Sequence, residues 1–167
     1  AYARNRYQST SRNKRSSACE HENALVTYLK TNGIYAFTGR ALNRSRFVDV
    51  IALGCVFIEA KLGEVRQKHP NQIVFRFTPA QQHEGIRGDI VCLMMSNGDD
   101  YSYYFIRSSD PIFYKKDGKV KSAFTYTPNS SHFNVRITDE FMNSLHNNVG
   151  LIWEVYNELL ETDFETR

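Results

Sequence analysis

The sequence predicts an α/β (α+β) domain with the element order helix, strand, strand, strand, helix, strand, strand, closed by a C-terminal helix. Three observations carry this expectation. The first is an amphipathic segment, Glu22 to Gly33, in which Glu22, Leu25, Val26 and Leu29 recur at helical spacing. The second is a pair of β-branched runs, Phe47 to Leu53 and Val56 to Ala60, separated only by Gly54-Cys55, as in a tight β-hairpin. The third is a pair of apolar runs, Asp89 to Met95 and Tyr101 to Ile106, joined by the turn residues Asn97-Gly98-Asp99-Asp100.

Taken in order, the chain opens with a polar, basic arm over residues 1–17, holding Arg4, Arg6, Arg12, Lys14 and Arg15 and no acid. Such an arm suits phosphate binding, and equally a solvated terminus. One domain is expected over residues 18–167, with its core at about 18–107. The first helix ends at Asn32-Gly33, a C-terminal stop signal. The hairpin follows, then a weakly alternating strand from Gln72 to Phe77. Thr78-Pro79 opens a second helix, Ala80 to about Arg87, with Thr as N-cap and Pro at the first helical position. After the last core strand, residues 108–137 form an extra segment in which Lys115, Lys116, Lys119 and Lys121 flank the turn Asp117-Gly118. A C-terminal helix is expected over residues 138–161, capped by Thr138, with Phe141, Leu145, Ile152, Trp153, Tyr156, Leu159 and Leu160 on its apolar side and a bend at Gly150. Packing on its own sheet is the default for that face; a dimer contact is the alternative.

Composition agrees with a globular domain. Hydrophobic residues make up 41% and aromatics 13%, enough for a core. No apolar run approaches the roughly 18 residues of a membrane span, and the N-terminal residues lack a signal-peptide core. Cys19, Cys55 and Cys92 have no metal-type spacing, and Cys55 and Cys92 lie in apolar runs as buried thiols would. A reducing, cytoplasmic location is the expectation. The five histidines form no metal-ligand pair, and there is no Gly-rich phosphate loop or Gly-x-Ser-x-Gly elbow.

Chemistry concentrates in the hairpin. Asp49, Glu59 and Lys61 interrupt strands that otherwise read as buried, and Glu59 and Lys61 project to one face while Ala60 projects to the other. Buried charges need a partner or a metal, and two carboxylates beside a lysine suit a divalent cation and the water it activates. The bland alternative is a Glu59–Lys61 surface pair on an edge strand.

The spacing Val48-Asp49, nine residues, Glu59-Ala60-Lys61 resembles the PD-(D/E)XK nuclease superfamily, with Val48 in place of the usual proline. The resemblance implies a restriction-endonuclease-like core with a central mixed sheet flanked by helices. It implies Mg²⁺ (or Mn²⁺) held by Asp49, Glu59, the Ala60 carbonyl and Glu22, with Lys61 acting on the attacking water. Glu20 is the rival to Glu22; two residues apart on a helix they diverge by about 200°, so one at most faces the site. In resolvase-like relatives a glutamine near the start of the second helix lies beside the site, which suggests Gln81 or Gln82. Arg40, Arg44 and Arg46, in the loop entering the hairpin, and Lys115, Lys116 and Lys119 are then expected to contact nucleic acid. The implied function is a metal-dependent DNA endonuclease, dimeric, cutting duplex at specific sequences as restriction and homing enzymes do. A Holliday-junction resolvase and a non-catalytic nucleic-acid-binding module are the alternatives.

Overall fold

The structure is a computed structural model and describes residues 20–42, 48–68, 72–127 and 139–162. The basic arm, Cys19, Arg44, Arg46, Phe47 and Thr138 lie outside the described residues.

The first helix, α1 (residues 20–31), forms where the apolar spacing puts Leu25, Val26 and Leu29 on one buried stripe. It stops in a Schellman motif: Gly33 takes φ +78°, its N–H donates to Lys30 O, and the Ile34 N–H donates to Leu29 O at 2.8 Å. Five strands then build a mixed sheet in the order β1-β2-β3-β6-β7. Here β1 is Ala36–Thr38, β2 is Val50–Ala52, β3 is Val56–Leu62, β6 is Ile90–Asn97 and β7 is Asp100–Arg107. Pairing is antiparallel throughout except between β3 and β6, which run parallel with Glu59 beside Val91 and Lys61 beside Leu93. Strands β4 (Glu64–Val65), β5 (Ile73–Arg76) and β8 (Ala123–Tyr126) form a second, antiparallel sheet in the order β4-β5-β8. The remaining helices are α2 (Pro79–Glu84), α3 (Asp139–Leu145) and α4 (Gly150–Glu161).

The mixed sheet is buried on both faces. Val56, Ile58 and Ala60 of β3 join Ile90, Cys92 and Met94 of β6 in a core covered by Leu25 and Leu29 of α1 and by Leu151, Ile152 and Val155 of α4. Val91 and Leu93 face the other way, into a core filled by Phe75, Phe77, Phe124 and Tyr126 around the second sheet and by Met142 and Leu145 of α3. Strand β6 faces both cores, which explains its unbroken apolar run.

Several expectations are corrected. The strand expected at Gln72 to Phe77 exists as β5, yet it belongs to the second sheet. The mixed sheet instead takes β1 as its edge, a three-residue strand too short to show a period. The first hairpin strand is regular only over Val50–Ala52, and its turn is centred on Leu53 and Gly54, both at positive φ. Helix α2 ends at Glu84 rather than near Arg87, because Gly85 turns the chain at φ +94°. The single C-terminal helix is two. Asn147 breaks it at φ +54°, donates its N–H to Tyr103 O, and leaves His146 bridged to Tyr104 at the edge of the sheet. The physical reason is that α3 and α4 serve opposite faces of the sheet, which one straight helix cannot do. Trp153 and Leu160, expected on the packed side, are exposed. Cys92 is buried as expected, while Cys55 is only half-buried; both are free thiols.

Candidate active site

The site begins where the β2 ladder ends. Register carries β2 only as far as Val50 opposite Ile58, so the Ala60 N–H lies past the last ladder pair. Asp49, in the bend just before β2, takes up that donor: its Oδ2 accepts from Ala60 N at 2.9 Å. One residue to either side, Glu59 and Lys61 extend from the opposite face of β3 to that of Ala60. Their side chains keep only 14% and 12% exposure, and Lys61 Nζ stands 3.4 Å from Glu59 Oε1.

Gln81 ties the pair together. Its Nε2 donates to Glu59 Oε1 at 2.5 Å, and its Oε1 accepts from Lys61 Nζ at 2.7 Å. The helix start fixes its position. Thr78 caps α2, accepting the Gln81 N–H at its hydroxyl, and Gln81 Oε1 accepts the Thr78 N–H in return. Gln82 points elsewhere and donates to Phe77 O. The choice between Gln81 and Gln82 was legible in the spacing Thr78-Pro79-Ala80-Gln81, which is a capping box. The aromatic under the lysine was not legible. The Lys61 ammonium lies 5.0 Å from the centroid of the Phe77 ring, a cation–π contact that burial strengthens. Asp89 was also missed: its Oδ2 accepts from Phe57 N while its own N–H donates to Phe57 O, which braces β3 just before the site.

Of the two glutamates on α1, Glu22 is buried and Glu20 is exposed. Glu22 pairs with Arg40 at 3.4 Å. Arg40, in the short 3-10 helix Gly39–Leu42, is 47% exposed and so offers its free edge to solvent. Lys115, Lys116 and Lys119 are exposed on a separate hairpin, where Tyr114 bridges Val120 and Gly118 turns at φ +86°.

Burial dominates the electrostatics of Asp49. Desolvation first, then the neighbouring Glu59 and Glu22 charges, raise its carboxyl to about 7; the Ala60 N–H and Lys61 act in the opposite sense. A cation would relieve that repulsion. The donors also suit Mg²⁺, being two carboxylates and a backbone carbonyl, all hard oxygens. Among the described residues no three His, Cys, Asp or Glu side chains converge as a ready-made metal cage.

No family model matches this chain, and no curated protein or solved structure matches it at a significant level. Among the described residues no helix is long and apolar enough to cross a membrane.

Proposed function

We propose that this chain is a Mg²⁺-dependent DNA endonuclease of the PD-(D/E)XK type, cutting duplex at specific sequences. The observation that carries the reading is the joining of Asp49, Glu59 and Lys61 on one hairpin, with Gln81 bridging the last two. The architecture supports it. A leading helix, an antiparallel run of three strands and a parallel partner for β3 reached after α2 follow the order that the resemblance implies. The pair is far too buried to be an ordinary surface ion pair, which counts against the bland alternative.

In this reading Asp49, Glu59 and the Ala60 carbonyl would hold the cation, and Glu22, whose carboxylate does not converge with the other two, would complete the set through water. Bound Mg²⁺ supplies Lewis-acid activation of water and neutralises charge at the phosphate. Glu59 orients Lys61 through the shared Gln81 amide. Lys61 presents its Nζ protons toward the reacting phosphate, holding the attacking water and stabilising the charge that develops there. Arg40, pinned by Glu22, is suited to grip a non-bridging phosphate oxygen. Arg44 and Arg46 are assigned the same role, and Lys115, Lys116 and Lys119 a contact further along the DNA. A homodimer would place two such sites on the two strands. The free Cys55 and Cys92 thiols agree with action in the cytoplasm.

The test is a panel of supercoiled plasmid, long genomic duplex and a synthetic four-way junction, incubated with Mg²⁺ and with Mn²⁺. Discrete fragments from the duplexes are expected. Cutting confined to the four-way junction would replace sequence-specific cleavage by junction resolution. Absence of cutting on every substrate would leave a nucleic-acid-binding module.

A further inference from the structure

The second sheet turns one face to the core. Phe75 of β5 points into it, while the buried Val74 and the exposed Arg76 lie on the other face, with the exposed Glu64 of β4 opposite Val74. On that outer face lies a groove of about 380 Å³ whose walls include Arg66, Gln67, Lys68 and Arg76 around Val74. Three cations there meet one carboxylate, Glu64, which reaches Arg76 at 3.6 Å. Both members of that pair are more than 60% exposed, so it is a weak ion pair, and cations still outnumber the carboxylate in the groove. Arg66 is steadied by a neutral partner, its Nη1 donating to Gln72 Oε1 at 3.2 Å.

The groove adjoins the catalytic hairpin through two stretches of chain. Strand β3 runs from Lys61 through Gly63 directly into β4; Gly63 is required there, since a Cβ would come within 2.5 Å of Ile73. Arg76 is also the chain neighbour of Phe77, whose ring lies beside the Lys61 ammonium. Lys61 and Arg66 are at most about 17 Å apart along the extended chain, roughly five base-pair rises of a duplex. At the far end Arg76 pairs with Ala123 of β8, and the lysine hairpin leads into that strand.

We infer that the outer face of the β4-β5-β8 sheet is a track for the phosphodiester backbone of the nucleic acid beyond the cut, gripped by Arg66, Lys68 and Arg76. The inference rests on the nuclease reading and adds to it a second, non-catalytic contact surface. Among the described residues lining the groove none is aromatic, so these offer bases nothing to stack on; the groove is suited to phosphates rather than to sequence readout. Glu64 weakens the grip.

The test is fluorescence anisotropy of a labelled random-sequence duplex with the full chain, in EDTA so that no strand is cut, across a salt series. The triple variant Arg66→Ala, Lys68→Ala, Arg76→Ala is expected to lose at least about tenfold in affinity, with a log–log salt slope shallower by about 2–3. Glu64→Gln is expected to tighten binding, a gain that misfolding cannot mimic. Unchanged affinity and slope in the triple variant overturn the track, as does failure of the natural chain to bind in low salt. Cleavage in Mg²⁺ separates the two readings. A natural chain that cuts, beside a triple variant that binds and cuts equally well, removes the track and keeps the nuclease. Binding that depends on the three cations without any cutting keeps the track and removes the nuclease.

Discussion

Strand β3 presents two faces built from alternate residues of one seven-residue run, and they do different work. Val56, Ile58 and Ala60 are buried among aliphatic side chains, where shape and area are all that count. On the other face Glu59 and Lys61 are nearly as well covered, yet they bond to polar partners, each other and Gln81, while the lysine also meets the Phe77 ring. A strand can thus hold charged groups rigidly beside a core because its second face secures the backbone. The expected consequence is that the two faces respond to mutation in opposite currencies, stability on one and turnover on the other.

The contrast between the two faces can be tested by mutation and by pH. The largest effect belongs to Lys61→Ala, expected to lower single-turnover cleavage by about 100- to 1000-fold or more while circular dichroism shows an unaltered fold. Next is Ile58→Ala on the opposite face. It should cost about 2–5 kcal/mol in denaturant unfolding and leave the cleavage rate of the folded fraction close to that of the natural chain. Gln81→Ala comes third. It severs the bridge between Glu59 and Lys61 and is expected to slow cleavage by about 10–100-fold, whereas Gln82→Ala, whose amide donates to Phe77 O, should leave the rate nearly unaltered. Equal rates for the two glutamine variants would remove the positioning role of Gln81.

The smallest effect concerns pH. The Asp49 carboxyl is raised in the folded state, from near 4 to about 7, so folding takes up a proton there. Its favourable contribution is complete below the unfolded value and is lost as pH rises through about 7. Thermal melts in EDTA should therefore fall by a few degrees between acidic and mildly alkaline buffer. Asp49→Asn should flatten that slope and melt higher at the alkaline end. Mg²⁺ should restore the natural chain there and leave the variant unaffected. A slope identical in the two proteins would show that Asp49 is not the group responsible.

Much of this contrast was legible in the residues, for identifiable reasons. Leu25, Val26 and Leu29 recur at a helical period, so α1 and the burial of Glu22 follow from spacing. Alternation in Val56–Leu62 assigns Glu59 and Lys61 to one face. The Thr78-Pro79 start also placed α2. What was hidden depends on contacts distant in sequence. Strand β1 is three residues long and carries no period, and β5 looks like any half-buried strand until its partner β8, almost fifty residues away, is known. The break at Asn147 follows from α3 and α4 covering opposite faces of one sheet, which no local pattern encodes. Phe77 was legible as an apolar residue, but its place beside Lys61 comes from the second sheet folding back on β3.

The most direct test compares three proteins on the same DNA: the natural chain, Lys61→Ala and Ile58→Ala, each incubated with plasmid and genomic duplex in Mg²⁺ at a temperature where all three are folded. The natural chain and Ile58→Ala are expected to cut, and Lys61→Ala is not. Cutting by Lys61→Ala at the natural rate would contradict this, because the polar face of β3 would then not be where the phosphodiester is broken.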